Sequence, residues 1–516
     1  MRTRTFAVLA SVSMALSGAA SWALSAPSPA SRNGIAITTT ASTLPPAASG
    51  ARFVDGKTLL LEGRLGRATV ARSNQTGSET TESLVLASIT GADVPADAPT
   101  RRPPVHLAIV VDRSGSMAGV KMHNAVLAAV GAIDRMNDGD RVTVVAFDTT
   151  ARVIAPTTVL DPTTRPRVQA AVRSMQPGGD TCISCGLEAA FAQLEAAPGG
   201  SDEVDRVLLI SDGEATTGVK DVAGLRAMAS RMSTRGFSVS TIGVDIDFDA
   251  KVMAAIAQES NGKHWFVPDA SALAGVFQEE LGALQTAVAT GAELAIEPAP
   301  GVVIQDVFDR PFRREGNRVV VQLGTFDPRQ EKTVLLRTRV PSDADGSQPV
   351  ASFSLTYRDV RQRLDARCGG SLEVDVRSDG TAQQDLDPFV AARFERSLTA
   401  HTLTEANDLF EHGKGDEARR KLEDRHAALA RAAAPAVAAT ATAAPLALGQ
   451  RTVASDFEGQ VAALEQAQAG FAPPPPAANA GGGMVSRGAA AATPAAAPAA
   501  KATVRQNQAN ASDMAF

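Results

Sequence analysis

The stretch VVDRSGSM, Val110 to Met117, sets a carboxylate and two hydroxyls on alternate residues, Asp112, Ser114 and Ser116, directly behind the apolar run HLAIV. A turn needs a glycine and at most one short polar side chain, so this crowding of oxygens asks for another purpose. Two more oxygens stand in comparable places. GGDTCISCGL puts Thr181 just before a helical pattern, and LLISDG ends an apolar run on Asp212. Hydroxyl and carboxylate oxygens are hard donors of the kind Mg2+ takes, octahedrally, at about 2.0–2.1 Å; Ca2+ and Mn2+ accept the same class of ligand. The five residues are therefore candidate ligands of a divalent cation. Each alone has a plainer role: Ser114 or Ser116 could cap a following helix, and Asp212-Gly213 could make a turn.

The elements that must position these residues are legible as a change of pattern at Pro104. From there short apolar runs (HLAIVVD, RVTVVAF, RVLLISD, SVSTIGV, HWFV) alternate with helix-period segments such as MHNAVLAAVGAIDRM and VAGLRAMASRM. Strands apolar on both faces, separated by amphipathic helices, predict an α/β fold over residues 104–285, a doubly wound and mostly parallel sheet. In such a sheet ligands bind outside the carboxyl ends of the strands, where the strand order reverses. Asp112 and Asp212 both fall at such ends. Residues 31–103 and 291–377 show short alternating strands broken by Asn, Gly and Pro. They predict a β-sandwich to which the α/β unit is joined, or into which it is inserted. Residues 387–433 read as a helical hairpin turning at Gly413–Gly415. The Ala- and Pro-rich tail, 434–516, is too poor in large apolar residues to fold and is expected to be disordered, with room for a short helix near 455–468.

DRSGS, the later Thr of a Gly-Gly loop, and SDGE together resemble the metal-ion-dependent adhesion site (MIDAS) of von Willebrand factor type A (VWA) domains, over about residues 104–285. The resemblance implies that Ser114 and Ser116 coordinate the ion directly. It further implies that Thr181 does so directly or through water, that Asp112 and Asp212 act largely through water, and that the function is binding rather than catalysis. Neutral hydroxyl ligands leave the ion's charge underneutralised, so the expected partner is a protein that supplies an Asp or Glu. Two departures stand out: Asp180 before Thr181, and the cysteines flanking the start of the next helix. Two other functions remain open at this stage, a scaffold whose metal only stiffens the loops and a Mg2+-dependent hydrolase. The hydrolase lacks a motif-fixed general base, although Glu214 and Asp180 are close in sequence.

At 516 residues the chain is too long for one core, and its net charge of −6 gives no reason to expect nucleic acid. Arg2 and Arg4 followed by FAVLASVSMALSGAASWAL read as a signal peptide over residues 1–23, with cleavage after Ala20 or Ala23. The mature protein is then exported to the periplasm, cell envelope or extracellular space, with no later segment able to span a bilayer. The three cysteines cannot form a four-Cys zinc site. In an exported chain they predict one disulfide, Cys182–Cys185 or one of these to Cys368. The six histidines show no metal-ligand spacing.

Overall fold

Val, Ile and Leu dominate the runs that precede Asp112 and Asp212, and such residues suit a sheet covered on both faces. The computed structural model describes residues 50–73, 80–93, 102–382, 385–441, 443, 452–472 and 496–515. The signal peptide and residues 31–49 of the N-terminal β segment lie outside the described residues. Four strands come first: β1 (Arg52–Gly56), β2 (Leu59–Leu65), β3 (Thr69–Ala71) and β4 (Thr80–Gly91). The α/β unit begins with β5 (Val105–Asp112), α1 (Val120–Arg135), β6 (Arg141–Phe147), β7 (Ala151–Val159), α2 (Thr164–Arg173) and α3 (Ile183–Ala196). It continues with β8 (Val204–Ser211), α4 (Val222–Thr234), β9 (Ser238–Val244), α5 (Ala250–Glu259), β10 (His264–Val267) and α6 (Leu273–Thr286). Strands return as β11 (Ala289–Pro298), β12 (Val303–Phe308), β13 (Arg313–Glu315), β14 (Arg318–Phe326), β15 (Glu331–Pro341), β16 (Gly346–Asp359) and β17 (Leu364–Arg377). Helices α7 (Pro388–Glu411), α8 (Gly415–Ala439), α9 (Val453–Gly470) and α10 (Ala496–Ala515) follow.

The central sheet has the order β10-β9-β8-β5-β6-β7. Its pairs are parallel except β6–β7. From β5 the chain moves outward to β6 and β7, then returns to the other side of β5 as β8. The reversal therefore opens a crevice beyond the ends of β5 and β8. One face packs on α1, α2 and α6 through Ile109, Val111, Ile133, Val172 and Phe277. The other packs on α3, α4 and α5 through Val110, Leu187, Leu225 and Met253. Strand β7 carries no continuous apolar run. It lies at the edge, largely exposed, and contains Pro156, which an edge strand tolerates.

The strand segments on either side of the α/β unit form one β-sandwich, so the unit is an insertion. Strand β4 pairs antiparallel with β15 from Thr80↔Pro341 to Thr90↔Glu331. The two sheets, β1-β2-β4-β15-β12 and β13-β14-β11-β16-β17-β3, enclose a common core that includes Phe53, Leu61, Ile89, Leu294, Phe326 and Phe353. Helices α7 and α8 form the expected hairpin, turning at Gly413, whose φ of +76° lies in the left-handed region that glycine adopts freely.

The tail is helical in part: α9 falls where there was room for a short helix near 455–468, and α10 adds a second helix. Helices α9 and α10 pack on the hairpin, burying Val453, Phe457, Leu464, Phe471, Val504 and Met514. Composition averages over a segment and hides spacing. Val453, Phe457, Leu464, Ala467 and Phe471 fall at helical spacing around the buried Gln460, which gives one helical face enough apolar surface to dock. Residues 473–495 lie outside the described residues.

Candidate metal centre

Asp112 closes β5, and both its oxygens are held by the protein. Ser114 N–H donates to Oδ1 at 2.8 Å and the Ser211 hydroxyl donates to Oδ2 at 2.6 Å. The chain then makes a single 3-10 turn, Gly115–Met117, which brings the Ser114 and Ser116 hydroxyls to 3.1 Å from each other. Ser116 Oγ donates to Asp212 Oδ1 at 2.7 Å. The other oxygen, Oδ2, accepts from Lys121 Nζ at 2.8 Å. Thr181 reaches the same point: a methyl group placed on Gly213 would lie 3.6 Å from both Ser116 Oγ and Thr181 Oγ1. All five sequence candidates thus meet at one end of the sheet.

Neither serine caps a helix. Helix α1 starts later, after Gly119, and Ser114 makes no side-chain capping bond. Helix α4 is capped by Asp221, which accepts from Gly224 N–H, and not by Asp212.

Backbone bonds clamp the three loops together. Gly115 N–H donates to Gly179 O at 3.0 Å and Gly178 N–H to Arg113 O at 2.7 Å. Arg113 also ion-pairs with Asp148. The carbonyl of Thr181 accepts from Thr216 and Thr217 N–H at 2.9 and 3.2 Å, and its N–H donates to Thr216 Oγ1 at 2.9 Å. Cys182 and Cys185 form a disulfide across the first turn of α3, directly after Thr181, which resolves the pairing left open by the sequence. Cys368 is free and buried in the sandwich, where burial pushes its thiol up to about 12.

Asp112, Ser114, Thr181 and Asp212 are buried, whereas Ser116 and Asp180 are exposed at the rim. Burial raises the Asp112 carboxyl to about 6, against the pull of hydrogen bonds from Ser114 and Ser211, and the neighbouring Asp212 charge adds to the rise. Lys121 keeps its charge. Desolvation works against it, but hydrogen bonds to Asp212 and Asp245 hold it above the ordinary lysine value.

The donor set fits a small hard cation. Neighbouring ligands of an octahedral ion with bonds near 2.1 Å are separated by about 3.0 Å. The 3.1 Å separation of the Ser114 and Ser116 hydroxyls matches that value, while Ser116 can still donate its hydroxyl proton to Asp212.

Sequence reading passed over Ser211, Lys121 and Asp245. Ser211 is a lone hydroxyl at the end of an apolar strand, and Asp245 directly follows β9, so a third strand leads into Asp at the same sheet edge. One histidine does gather acidic neighbours, because the parallel pairing of β5 and β8 sets His106 opposite Asp205. His106, Glu203 and Asp205 bring their ligand atoms within 4.8 Å of one another near the opposite ends of these strands. The cation among them is the Arg141 guanidinium, 3.0 Å from His106 Nδ1 and 3.5 Å from Glu203 Oε2.

Comparison with known proteins agrees with this architecture. Residues 106–279 match the family model of the von Willebrand factor type A domain. A Synechocystis sp. protein, sll0103, is 27% identical over 329 residues, covering 61% of this chain and 77% of its own length. Inter-alpha-trypsin inhibitor heavy chain H2 of Mus musculus is 28% identical over 166 residues, covering 31% of this chain but only 17% of its own. The solved structure of von Willebrand factor type A from Catenulispora acidiphila superimposes with a TM-score of 0.62 at 19% identity, covering 79% of this chain and 89% of that one. That structure shares the fold well beyond the α/β unit.

Proposed function

We propose that this chain, which carries a von Willebrand factor type A domain, is an exported, non-enzymatic adhesion module that captures an acidic side chain of a protein partner. Ser114, Ser116 and Thr181 hold a divalent cation, Mg2+ by size and donor type, while Asp112 and Asp212 act on it through water. When bound, the ion supplies a coordination position for the partner's Asp or Glu. One observation carries the reading: the hydroxyls converge, while both carboxylates are turned into hydrogen bonds with the protein itself. Carboxylates so engaged leave a cation underneutralised, and an underneutralised cation gains from a carboxylate brought from outside. A site meant to keep its ion would instead offer free carboxylates.

The sandwich and the helical region serve as the platform on which the binding loops are carried. Export is supported by the basic, then apolar, start of the chain and by the disulfide, which persists in oxidising compartments. Among the described residues, no helix is long and apolar enough to cross a membrane.

Calorimetric titration of Mg2+ into the wild type, Ser114→Ala and Thr181→Ala tests the ligand assignment. Ser114→Ala should stay folded and lose most of its Mg2+ affinity. The loss in Thr181→Ala should be smaller, because water can replace its hydroxyl. Affinity unchanged by Ser114→Ala would reject the site.

A further inference from the structure

Lys121 stands in the first turn of α1 with its ammonium between two carboxylates, 2.8 Å from Asp212 Oδ2 and 3.0 Å from Asp245 Oδ2. Asp245 follows β9 with a φ of +67°, and its other oxygen accepts from Ile246 N–H at 2.8 Å. That bond leaves Oδ2 to face the lysine. Lys121 therefore ties the helix after the serine loop to the loops after β8 and β9, across the mouth of the candidate metal centre.

We infer that Lys121 is a positioning residue that keeps this centre poor in negative charge. It occupies the outer oxygen of Asp212 and neutralises part of the Asp212–Asp245 pair, so that a bound ion retains the positive charge that attracts a partner's carboxylate. The inference rests on the metal-binding reading above. Without Lys121, the ion itself would become the counter-charge for Asp112, Asp212 and Asp245. Such a site binds its metal more tightly, favours the larger Ca2+ that accepts several carboxylates, and has less charge left to offer. Metal affinity and carboxylate affinity should thus move in opposite directions when Lys121 is removed. A merely structural lysine, whose loss loosened the loops, would lower both.

The test uses the full chain with acetate as the probe carboxylate. Mg2+ and Ca2+ are titrated calorimetrically into wild type, Lys121→Met and Lys121→Arg, and acetate is then titrated into the Mg2+-loaded proteins by NMR. Lys121→Met should bind Mg2+ roughly tenfold more tightly, gain more for Ca2+, and bind acetate about threefold more weakly, while Lys121→Arg stays close to wild type. Asp245→Asn supplies the mirror image. One negative charge fewer, with Lys121 fully committed to Asp212, should weaken Mg2+ and strengthen acetate. It also keeps the test decisive if Lys121→Met does not fold. Unchanged affinities, or changes of the same sign for metal and acetate in a folded variant, would overturn the role of Lys121 and leave the metal site standing. A wild type that binds no Mg2+ would overturn the metal site and this inference with it.

Discussion

At the scale of single residues, the proposed metal centre should be coupled to pH through Asp112. Its carboxyl is raised from 3.8 to about 6, with burial the largest cause. In the metal-free chain a carboxyl raised in this way contributes stability that is complete below 3.8 and lost as pH rises through about 6, because the buried charge must then form. A divalent ion reverses that preference by favouring the ionised group. Mg2+ affinity should therefore be nearly constant above pH 7 and fall below about 6, by up to tenfold per pH unit for one linked proton. Calorimetric titrations at pH 5 and pH 7.5, in buffers of different ionisation enthalpy, measure both the affinity and the proton released. An affinity that does not change between these conditions would contradict a place for Asp112 in the metal centre. The five ligand candidates are legible in the sequence because Asp112 and Asp212 stand at the ends of apolar runs, Ser114 and Ser116 alternate directly behind the first, and Thr181 precedes a helical pattern, all at one edge of a doubly wound sheet. Lys121 and Asp245 are not legible in this way. Their pairing depends on β9 lying beside β8, a neighbour relation no local pattern states.

At the scale of elements, the loop after β8 carries both Asp212 and the cover of the disulfide. Gly218 has a φ of +71°, and a methyl group there would lie 2.4 Å from Ser184 Oγ and 2.6 Å from Cys182 Sγ. The loop is thus pressed onto the start of α3, where Ser184 Oγ also accepts from Val219 N–H at 3.0 Å. Gly218→Ala should force the loop away and shift Asp212 relative to Thr181. A destabilisation of about 1–3 kcal/mol is expected from the backbone conformation and the clash together. Thermal unfolding checks that loss, and a Mg2+ titration should show weakened binding. A variant with unchanged stability and affinity would show that the loop is not held as described. The same scale explains which elements the sequence announces. Strands β5, β6, β8 and β9 are buried on both faces and declare themselves as apolar runs. The edge strand β7 needs no such run, and helix α10 hides in a composition rich in alanine.

At the scale of the whole molecule, an inserted α/β unit presents its loop end while a single sandwich and a helical layer carry it. Helix α10 binds the layers together. Lys501 ion-pairs with Asp247 of the α/β unit at 2.9 Å, and Arg505 lies over Phe248 while pairing with Glu411 of α7. Phe457 of α9 belongs to the helical core. Phe457→Ala should cost about 3–5 kcal/mol in the stability of that layer. It should leave Mg2+ affinity intact, since the candidate metal centre is built by other elements. Denaturant unfolding and calorimetry measure the two separately, and a parallel loss of Mg2+ affinity would show the layers to be coupled. Capture of an acidic partner through the ion is tested most directly by reversible chelation. Immobilised full-length protein is exposed to envelope extract in Mg2+, washed with chelator, and returned to Mg2+. Removing the ion takes away the attraction and leaves Asp112 and Asp212 repelling the partner's carboxylate, a loss of roughly 2–5 kcal/mol for a desolvated charge pair. The partner should leave with the chelator and be recaptured when Mg2+ is restored. A partner that stays bound through chelation would place recognition elsewhere on the molecule and contradict metal-dependent capture.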